Sequence, residues 1–274
     1  MKWRLLDSGL MDAAANMAVD EAILAAHAAG AVPPTLRFYG WRPAAVSLGY
    51  FQKAAQEVDL AECQARGVDV IRRLTGGRAV LHDAELTYSI IVRENHPLVP
   101  PTITASYRYF SGGLLAGLQQ MGLDARMSIP RAAYGQGGRK AASAACFDAP
   151  SHYEITVGGR KLVGSAQVRK SGVILQHGSV LLRFSAEDVV ALLQLPSPEL
   201  RSQLVEMLGR RATSVEEALG RPITWQELCG VMAAAFGPAL GVELEAGGLT
   251  AEELAESRRL AAEKYSQDSW NLLR

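Results

Sequence analysis

The feature that most restricts how this chain can fold is a β-hairpin signature near its middle. Residues 153–157 (Tyr-Glu-Ile-Thr-Val) alternate between apolar and polar side chains, Gly158 and Gly159 follow, and residues 160–163 return as Arg-Lys-Leu-Val. Alternation with a period of two is typical of a strand with one buried face. Two consecutive glycines favour a type I′ turn, because both central residues of that turn need a positive φ angle. We therefore expect a tight hairpin over residues 153–163.

Further strands and helices are predicted on both sides of this hairpin. Short apolar and β-branched runs predict strands over five segments: Leu36–Tyr39, Ala45–Leu48, Val68–Arg72, Leu86–Val92 and Val173–Leu182. Helices are predicted over Asn16–Ala29 and Ala105–Met121, and from Ser185 onward, where capping boxes occur at Thr213…Glu216, Thr224…Glu227 and Thr250…Glu253. Residues 134–145 are rich in glycine and alanine, and we expect a mobile loop there. The fold class is therefore mixed α/β (α+β), with mixed β-sheets packed with helices and a helical C-terminal third.

Charge and composition exclude some classes of partner. The 274 residues include 28 Lys plus Arg and 28 Asp plus Glu, so the formal net charge is zero. This balance gives no electrostatic reason to expect a nucleic acid or an anionic membrane as partner. We expect a single domain over residues 1–274, with an approximate core at 30–220 and a mainly helical extension at 221–274 packed on it.

The cellular compartment follows from what the sequence lacks. The first residues show no apolar stretch of a secretory signal, and no apolar run approaches the roughly 20 residues that span a bilayer. Cys63, Cys146 and Cys229 are far apart and include no Cys-x-x-Cys spacing, which disfavours a disulfide framework or a structural zinc site. We therefore expect a cytoplasmic chain that is monomeric and holds no metal.

Cys146 is the first candidate for chemistry. It lies among small residues between the predicted loop and the hairpin, in the run Cys-Phe-Asp-Ala-Pro-Ser. The thiolate is the reactive form of cysteine, and a free thiol with a pKa near 8.5 needs a nearby cation or base to ionise at neutral pH. The alternative interpretation is a small buried hydrophobic residue.

Lys161 is the natural partner of this thiol. It stands two residues beyond the Gly158-Gly159 turn, so a hairpin fixes its position. A lysine held beside Cys146 would favour the thiolate and could donate a hydrogen bond to a developing oxyanion. The alternative is a solvated strand lysine, which is the expectation for the neighbouring Arg160.

The densest group of polar residues spans positions 72–83, with the sequence Arg-Arg-Leu-Thr-Gly-Gly-Arg-Ala-Val-Leu-His-Asp. A Gly-Gly loop exposes backbone N–H groups that can bind a phosphate or carbonyl oxygen, and the flanking arginines would add charged donors. The segment lacks the Gly-Lys-Ser/Thr ending of a Walker A loop. The alternative is a tight connection between strands.

Two histidines could act in proton transfer or in orienting a neighbour. His82 ends the glycine segment, and His177 lies in a predicted strand. Each could instead be a hydrogen-bonded structural residue, with Asp83 a possible partner of His82. Neither spacing indicates a Ser-His-Asp arrangement or a metal site.

Taken together, these motifs resemble those of lipoate–protein ligases and octanoyltransferases, which belong to the biotin–lipoate ligase family. The resemblance rests on ordered segments: Asn-Met-Ala-Val-Asp-Glu at 16–21, residues 72–83 followed by Glu-Leu-Thr-Tyr-Ser at 85–89, Gly-Arg-Lys-Leu-Val-Gly-Ser-Ala-Gln at 159–167 and Ile-Leu-Gln-His-Gly-Ser at 174–179. Lys-Tyr at 264–265 and Trp-Asn at 270–271 extend it towards the C-terminus. The resemblance implies the biotin/lipoate-ligase catalytic fold.

Three subtypes of this family compete. ATP-dependent ligases usually carry a third glycine where this chain has Arg78, and they need no cysteine nucleophile. Octanoyltransferases of the Gram-positive type carry Cys-Phe-(Asn/Asp)-Ala-Pro-Ser before the lysine, with the spacing that separates Cys146 from Lys161 here. An octanoyl amidotransferase acting between lipoyl-domain proteins also uses cysteine, but its local sequence is less similar. A rival from another class is a non-catalytic protein that only binds acylated carrier domains.

The octanoyltransferase resemblance implies specific roles. Cys146 would carry the acyl group as a thioester, and Lys161 would lower the pKa of Cys146 and contact the carbonyl. The donor would be octanoyl-acyl carrier protein, and the acceptor would be a lysine of a lipoyl domain, that of the glycine-cleavage H protein, with no cofactor. Further residues are expected to bind substrate: Arg73, Thr75, Gly76, Gly77, Arg78, His82, Gly164, Ser165, Ala166, His177 and Gly178.

Overall fold

The computed structural model describes residues 1–128 and 154–273, which form strands and helices. The strands are β1 (Lys2–Met11), β2 (Thr35–Trp41), β3 (Ala45–Leu48), β4 (Asp69–Arg72), β5 (Val80–His82), β6 (Glu85–Arg93), β7 (Ala125–Ser128), β8 (Glu154–Val157), β9 (Arg160–Lys170), β10 (Val173–Leu181) and β11 (Glu243–Ala246). The helices are α1 (Ala13–Ala28), α2 (Ala54–Glu57), α3 (Leu60–Ala65), α4 (Ile103–Gln120), α5 (Ala186–Ala191), α6 (Pro198–Arg211), α7 (Val215–Leu219), α8 (Trp225–Leu240), α9 (Ala251–Leu260) and α10 (Asp268–Asn271). A π-helical turn, Ala261–Tyr265, continues α9. The predicted mixed α/β class with a helical final third is confirmed.

The strands form one large and one small sheet. The large sheet has the order β11-β1-β2-β6-β10-β9-β8-β7, and the small sheet has the order β4-β3-β5. In the large sheet β1 runs parallel to both β2 and β11, whereas the remaining pairs are antiparallel. The hairpin between β8 and β9 is confirmed, because Gly158 and Gly159 have φ angles of 58° and 78°, as a type I′ turn requires.

Both faces of the large sheet are covered, so its central strands are buried along their whole length. On β2, Leu36 and Phe38 belong to the core shared with α4 and α8, while Tyr39 and Trp41 belong to a separate core on α1. Successive side chains of a strand point to opposite faces, which explains this division. The strand therefore has buried side chains on both faces, with one apolar cluster on each side.

A buried polar network fixes α1 to the sheet. Asp20 of α1 forms an ion pair with Arg37 of β2 at 2.8 Å, and both side chains are almost fully buried. Arg37 Nη2 also donates to Asn16 Oδ1 at 2.8 Å, and Ser89 of β6 donates to Asp20 at 2.8 Å. A buried ion pair is tolerated only when further hydrogen bonds satisfy its charges, and here they do.

The C-terminal segment is tied to β4 through Arg72. The guanidinium of Arg72 donates to the carbonyl oxygens of Gly49 at 2.9 Å and Asn271 at 3.1 Å. In return, the Trp270 indole donates to the Arg72 carbonyl at 2.9 Å. The last helix is therefore attached directly to the small sheet.

Helix starts agree only in part with the predicted capping boxes. The box at Thr250 is confirmed, because Thr250 and Glu253 exchange both side chain–backbone hydrogen bonds. The box predicted at Thr213 is wrong by one residue: Ser214 is the N-cap of α7, and its hydroxyl accepts from the Glu217 N–H. Within residues 1–128 and 154–273, no helix has the length and apolar character to cross a bilayer.

Candidate active site

A cavity of about 200 Å³ opens between the glycine loop (residues 73–79), β9 and β10. Most of the predicted site residues line it: Arg73, Gly77, Arg78, His82, Lys161, Gly164, Ser165, Ala166, His177 and Gly178. An apolar cavity of roughly 150 Å³ holds benzene, so this cavity has the volume for a chain of about eight carbons. Motifs that are far apart in sequence therefore converge on one small chamber.

Pairing of β9 with β10 brings two of these motifs side by side. Ser165 lies directly opposite Gly178, and Gly164 lies opposite Ser179. The approach is close enough that a Cβ on Gly178 would stand 2.3 Å from the Gly164 carbonyl oxygen. Glycine at position 178 is therefore required by the packing of the cavity wall.

Arg73 shapes the glycine loop from within. Its guanidinium donates to the carbonyls of Gly76 at 2.9 Å and Arg78 at 2.7 Å, and to the Ser47 hydroxyl at 2.9 Å. On the other side of the loop, a Cβ on Gly49 would stand 2.1 Å from the Gly77 carbonyl oxygen. The loop is thus held by a buried cation and packed against bare backbone.

Thr75 and Gly76 were also predicted to bind substrate, and this role stays a prediction, because neither residue is among the described residues that line the cavity. The described lining of the cavity includes Gly77 and Arg78 of this loop. The buried Thr75 hydroxyl lies 2.6 Å from His177 Nε2. In this structure Thr75 therefore positions His177.

His177 is a neutral side chain at physiological pH. Burial lowers its pKa to about 3, and the charges of Arg73 and His82 act in the same direction. Its Nδ1 lies 3.9 Å from Asp20 Oδ2, beyond hydrogen-bond distance. His177 can thus orient a group by hydrogen bonding, but it is a poor proton acceptor.

His82 has different partners. Its Nδ1 lies 2.7 Å from Glu85 Oε1, and its Nε2 lies 2.7 Å from the Ser47 hydroxyl. The ring stacks on Trp41 with centroids 4.2 Å apart. The sequence suggested Asp83 as partner, and this is wrong, because Glu85 takes that place. A turn after β5 brings Glu85, which follows His82 by three residues, within hydrogen-bond distance of Nδ1.

Lys161 is held rigidly on the hairpin. Its side chain is buried, and its ammonium forms an ion pair with Glu154 Oε1 of β8 at 2.9 Å. Its carbonyl accepts from the Thr213 N–H at 2.9 Å. Arg160 next to it forms a surface ion pair with Glu217, as expected of a solvated strand residue. Lys161 therefore presents a fixed cation to the cavity.

The predicted nucleophile, Cys146, and the loop predicted over residues 134–145 lie outside the described residues, so the pairing of Cys146 with Lys161 stays a prediction. The other two cysteines are described. Burial raises the pKa of the Cys63 thiol to about 11 and that of the Cys229 thiol to about 12. Both thiols are therefore in the unreactive protonated form at neutral pH.

Several lining residues were not predicted from the sequence: Met17, Tyr39, Trp41, Ser47, Val80, Thr87 and Ser179. Tyr39 and Trp41 stand two apart on β2, so strand periodicity could have placed both on one face. Ser47 carried no signal of its own, because its importance depends on its contacts with Arg73 and His82. Among the described residues, no group of three or more His, Cys, Asp or Glu side chains could hold a metal ion.

Comparison with known proteins places this cavity in context. Residues 12–237 match the family described as the lipoyl protein ligase A/B catalytic domain. The chain is 49% identical to octanoyltransferase LipM of Kyrpidia tusciae over 269 residues, which cover 98% of each chain. It is 43% identical to octanoyltransferase LipM of Bacillus subtilis over 273 residues, covering 99% of this chain and 98% of the relative.

Two solved structures are also similar. An archaeal bi-partite lipoate protein ligase from Thermoplasma acidophilum, described with its E2 lipoyl domain, superposes with a TM-score of 0.81 at 27% identity, covering 100% of this chain and 98% of the other. A lipoate-protein ligase A bound with ATP superposes with a TM-score of 0.80 at 26% identity, covering 99% of each chain.

Proposed function

The chain belongs to the family of lipoyl protein ligase A/B catalytic domains, and on that premise we propose that it is an octanoyltransferase of lipoate biosynthesis. The resemblance to octanoyltransferases of the Gram-positive type is confirmed by relatives that align over nearly the whole chain. The ligase-type catalytic fold expected from the motifs is confirmed by the two superposed ligase structures.

The observation that carries the proposal is that sequence identity to the octanoyltransferases clearly exceeds identity to the ATP-bound ligase, again over the whole chain. The volume of the cavity suits an eight-carbon acyl chain, which octanoate and lipoate share. Burying six methylenes at about 0.8 kcal/mol each would contribute roughly 5 kcal/mol, which makes chain length matter.

The proposed chemistry is a double displacement through Cys146. The Cys146 thiolate attacks the thioester carbonyl of octanoyl-acyl carrier protein, and the carrier thiol leaves. Exchange of one thioester for another is nearly isoenergetic, so no ATP or other cofactor is needed. The amine of an acceptor lysine then attacks the acyl-cysteine and forms an amide. In this scheme Lys161 lowers the pKa of Cys146 and donates to the carbonyl oxygen, a role that its fixed position on the hairpin supports.

The proposed acceptor is a lysine of a lipoyl domain, specifically that of the glycine-cleavage H protein. A structurally similar ligase was described with an E2 lipoyl domain, which supports the class of acceptor. We further propose that the enzyme is a cytoplasmic monomer in which residues 1–274 act as one catalytic domain. Pairing of β11 with β1 supports the single domain, because it joins the C-terminal extension to the large sheet.

Intact-mass analysis tests the proposal directly. The purified chain is mixed with octanoyl-acyl carrier protein without nucleotide, and we expect a mass increase of one octanoyl group. Cys146→Ala should abolish both this adduct and octanoylation of a lipoyl domain. Cys229→Ala is the matched control, because it removes a buried thiol and should keep the adduct. Modification of the acceptor only with ATP, without an acyl-enzyme, would instead indicate a ligase and refute the proposal.

A further inference from the structure

The second half of the proposed reaction needs a proton acceptor, and this inference rests on that proposed function. When an amine attacks an acyl-cysteine, its nitrogen becomes acidic and must lose a proton before a stable amide forms. The departing sulfur does not have to take that proton if a neighbouring cation stabilises the thiolate. A base positioned at the cavity wall would therefore accelerate the transfer.

Lys161 is unsuited to this task. Its ammonium is 2.9 Å from the Glu154 carboxylate, and the side chain is buried on a rigid hairpin. As an ammonium, the Lys161 side chain is a hydrogen-bond donor with no free electron pair. Lys161 is built to stabilise negative charge at the sulfur or the carbonyl oxygen.

The two histidines of the cavity differ in the way that decides which one can act. His177 is hydrogen-bonded to the neutral Thr75 hydroxyl, and its closest carboxylate oxygen, on Asp20, is 3.9 Å away. Without a closely bonded carboxylate, a buried imidazolium would be poorly stabilised. His82, in contrast, is 2.7 Å from Glu85. That carboxylate would stabilise the imidazolium as it forms.

The hydrogen bonds around His82 define a direction for proton movement. The Arg73 guanidinium has no lone pair, so it must donate to the Ser47 oxygen, which leaves the Ser47 proton for His82 Nε2. The Nδ1–H of His82 then donates to Glu85 Oε1, which also accepts from Ser179 at 2.9 Å. This network assigns the tautomer in which Nε2 is the free base.

We propose that Ser47, His82 and Glu85 form a relay that removes the proton from the acceptor amine during transfer. The amine nitrogen attacks the carbonyl carbon, and its proton passes to Ser47 Oγ while the Ser47 proton passes to His82 Nε2. The C–N bond forms, the C–S bond breaks, and the bonding electron pair leaves on the Cys146 sulfur. His82 holds the proton beside Glu85 and releases it to solvent. Glu85 acts as a positioning residue, because it reaches the reaction through His82.

The geometry supports this relay over a purely structural role for the three side chains. Ser47 and His82 both line the cavity, so the relay begins where substrate would lie. Glu85 is buried, and among the described residues its second oxygen, Oε2, has no hydrogen-bond partner. Its first oxygen, Oε1, also accepts from the Thr87 hydroxyl. A buried carboxylate with a histidine between it and a hydroxyl at a cavity wall has the arrangement by which acyl-transfer enzymes move protons.

The test separates the two half-reactions in the full-length chain. Wild type, Ser47→Ala and Glu85→Gln are each acylated with octanoyl-acyl carrier protein, and the adduct is measured by mass. A lipoyl domain is then added, and transfer is followed. We expect the adduct to form in all three, and transfer to fall by about 100-fold or more in the variants, as is typical for loss of general-base catalysis. Ser106→Ala removes a buried serine on α4 outside the cavity lining, and it should transfer within about threefold of wild type.

A small amine distinguishes a proton relay from a loss of structure. Hydroxylamine is largely unprotonated at neutral pH and can reach the thioester with water as its base, so it should discharge the acylated variants at the wild-type rate. Equal loss of discharge by hydroxylamine and by the lipoyl domain would overturn the relay, as would transfer at the wild-type rate in Ser47→Ala. Failure of the wild type to become acylated would refute the proposed function, and the relay with it, before any acceptor is added.

Discussion

Replacing Gly49 by alanine should displace the glycine loop that forms one wall of the cavity. The new Cβ would lie 2.1 Å from the Gly77 carbonyl oxygen, whereas ordinary contacts begin at 3.4 Å, so the loop must retreat by about 1.3 Å. Gly49 does not have a positive φ angle, so the effect is steric rather than conformational. Overpacking of this kind costs about 1–3 kcal/mol of stability, and a shift of about 1 Å near reacting groups can lower a rate about 100-fold.

Two measurements check this prediction. Chemical denaturation gives the change in the free energy of unfolding, and the single-turnover rate of acyl-enzyme formation gives the effect on the site. Gly112→Ala is the matched control: Gly112 lies in α4, and a Cβ there has no neighbouring atom within 4 Å. In that control we expect stability to be unchanged or raised by up to about 1 kcal/mol. A Gly49→Ala enzyme that acylates as fast as wild type would show that the loop position does not limit the reaction.

Three further outcomes are expected. Lys161→Ala should raise the pKa of the Cys146 thiol, seen as a shift to higher pH in the alkylation profile with iodoacetamide; an unchanged profile would argue against the pairing. Asp20→Ala should destabilise the protein by about 3–5 kcal/mol in urea unfolding, because it leaves the buried Arg37 cation without its carboxylate; a loss below about 1 kcal/mol would contradict that view. Because the folded-state pKa of His177 is about 3, only the unfolded state takes up a proton as the pH falls below about 6.5. Between pH 7 and pH 5 the free energy of unfolding of the wild type should therefore fall by about 2 kcal/mol more than that of His177→Gln. Denaturation at each pH measures both values, and parallel plots of unfolding free energy against pH would refute this prediction.

Much of the fold was predictable because local chemistry determines it. Gly158 and Gly159 adopt positive φ angles, which glycine reaches without steric cost, so these two residues were enough to predict the hairpin. The central strands β2 and β6 were indicated by the runs Leu36–Tyr39 and Leu86–Val92, although both strands include buried polar residues, among them Arg37 and Ser89. By contrast, β5 has only three residues and β11 only four. Each forms a strand because it pairs with the edge of another strand, β5 with β3 and β11 with β1. No local pattern encodes such a partner.

The site shows the same division. The resemblance of the sequence motifs to the lipoate ligase and octanoyltransferase family implied most of the residues that line the cavity. The partners of those residues were not predictable. Thr156 lies opposite Lys161, as counting back from the turn predicts. The register of β8 against β9 then shifts between Ile155 and Thr156, so the contact of Lys161 with Glu154 could not be predicted by counting. In the same way, Glu85 reaches His82 only because the chain bends between β5 and β6.

Arg72 and Arg73 are neighbours in the sequence, and together they link the C-terminal segment to the glycine loop. Consecutive side chains at a strand end point in opposite directions. Arg72 therefore hydrogen-bonds the C-terminal segment at Asn271, while Arg73 hydrogen-bonds the glycine loop beside the cavity. The residue that holds the C-terminal segment and the residue that holds the glycine loop are therefore joined by a single peptide bond. Truncation of the carboxyl end, or a fused tag that pulls the last helix away, should therefore disturb the glycine loop, although no described residue after Ser179 lines the cavity.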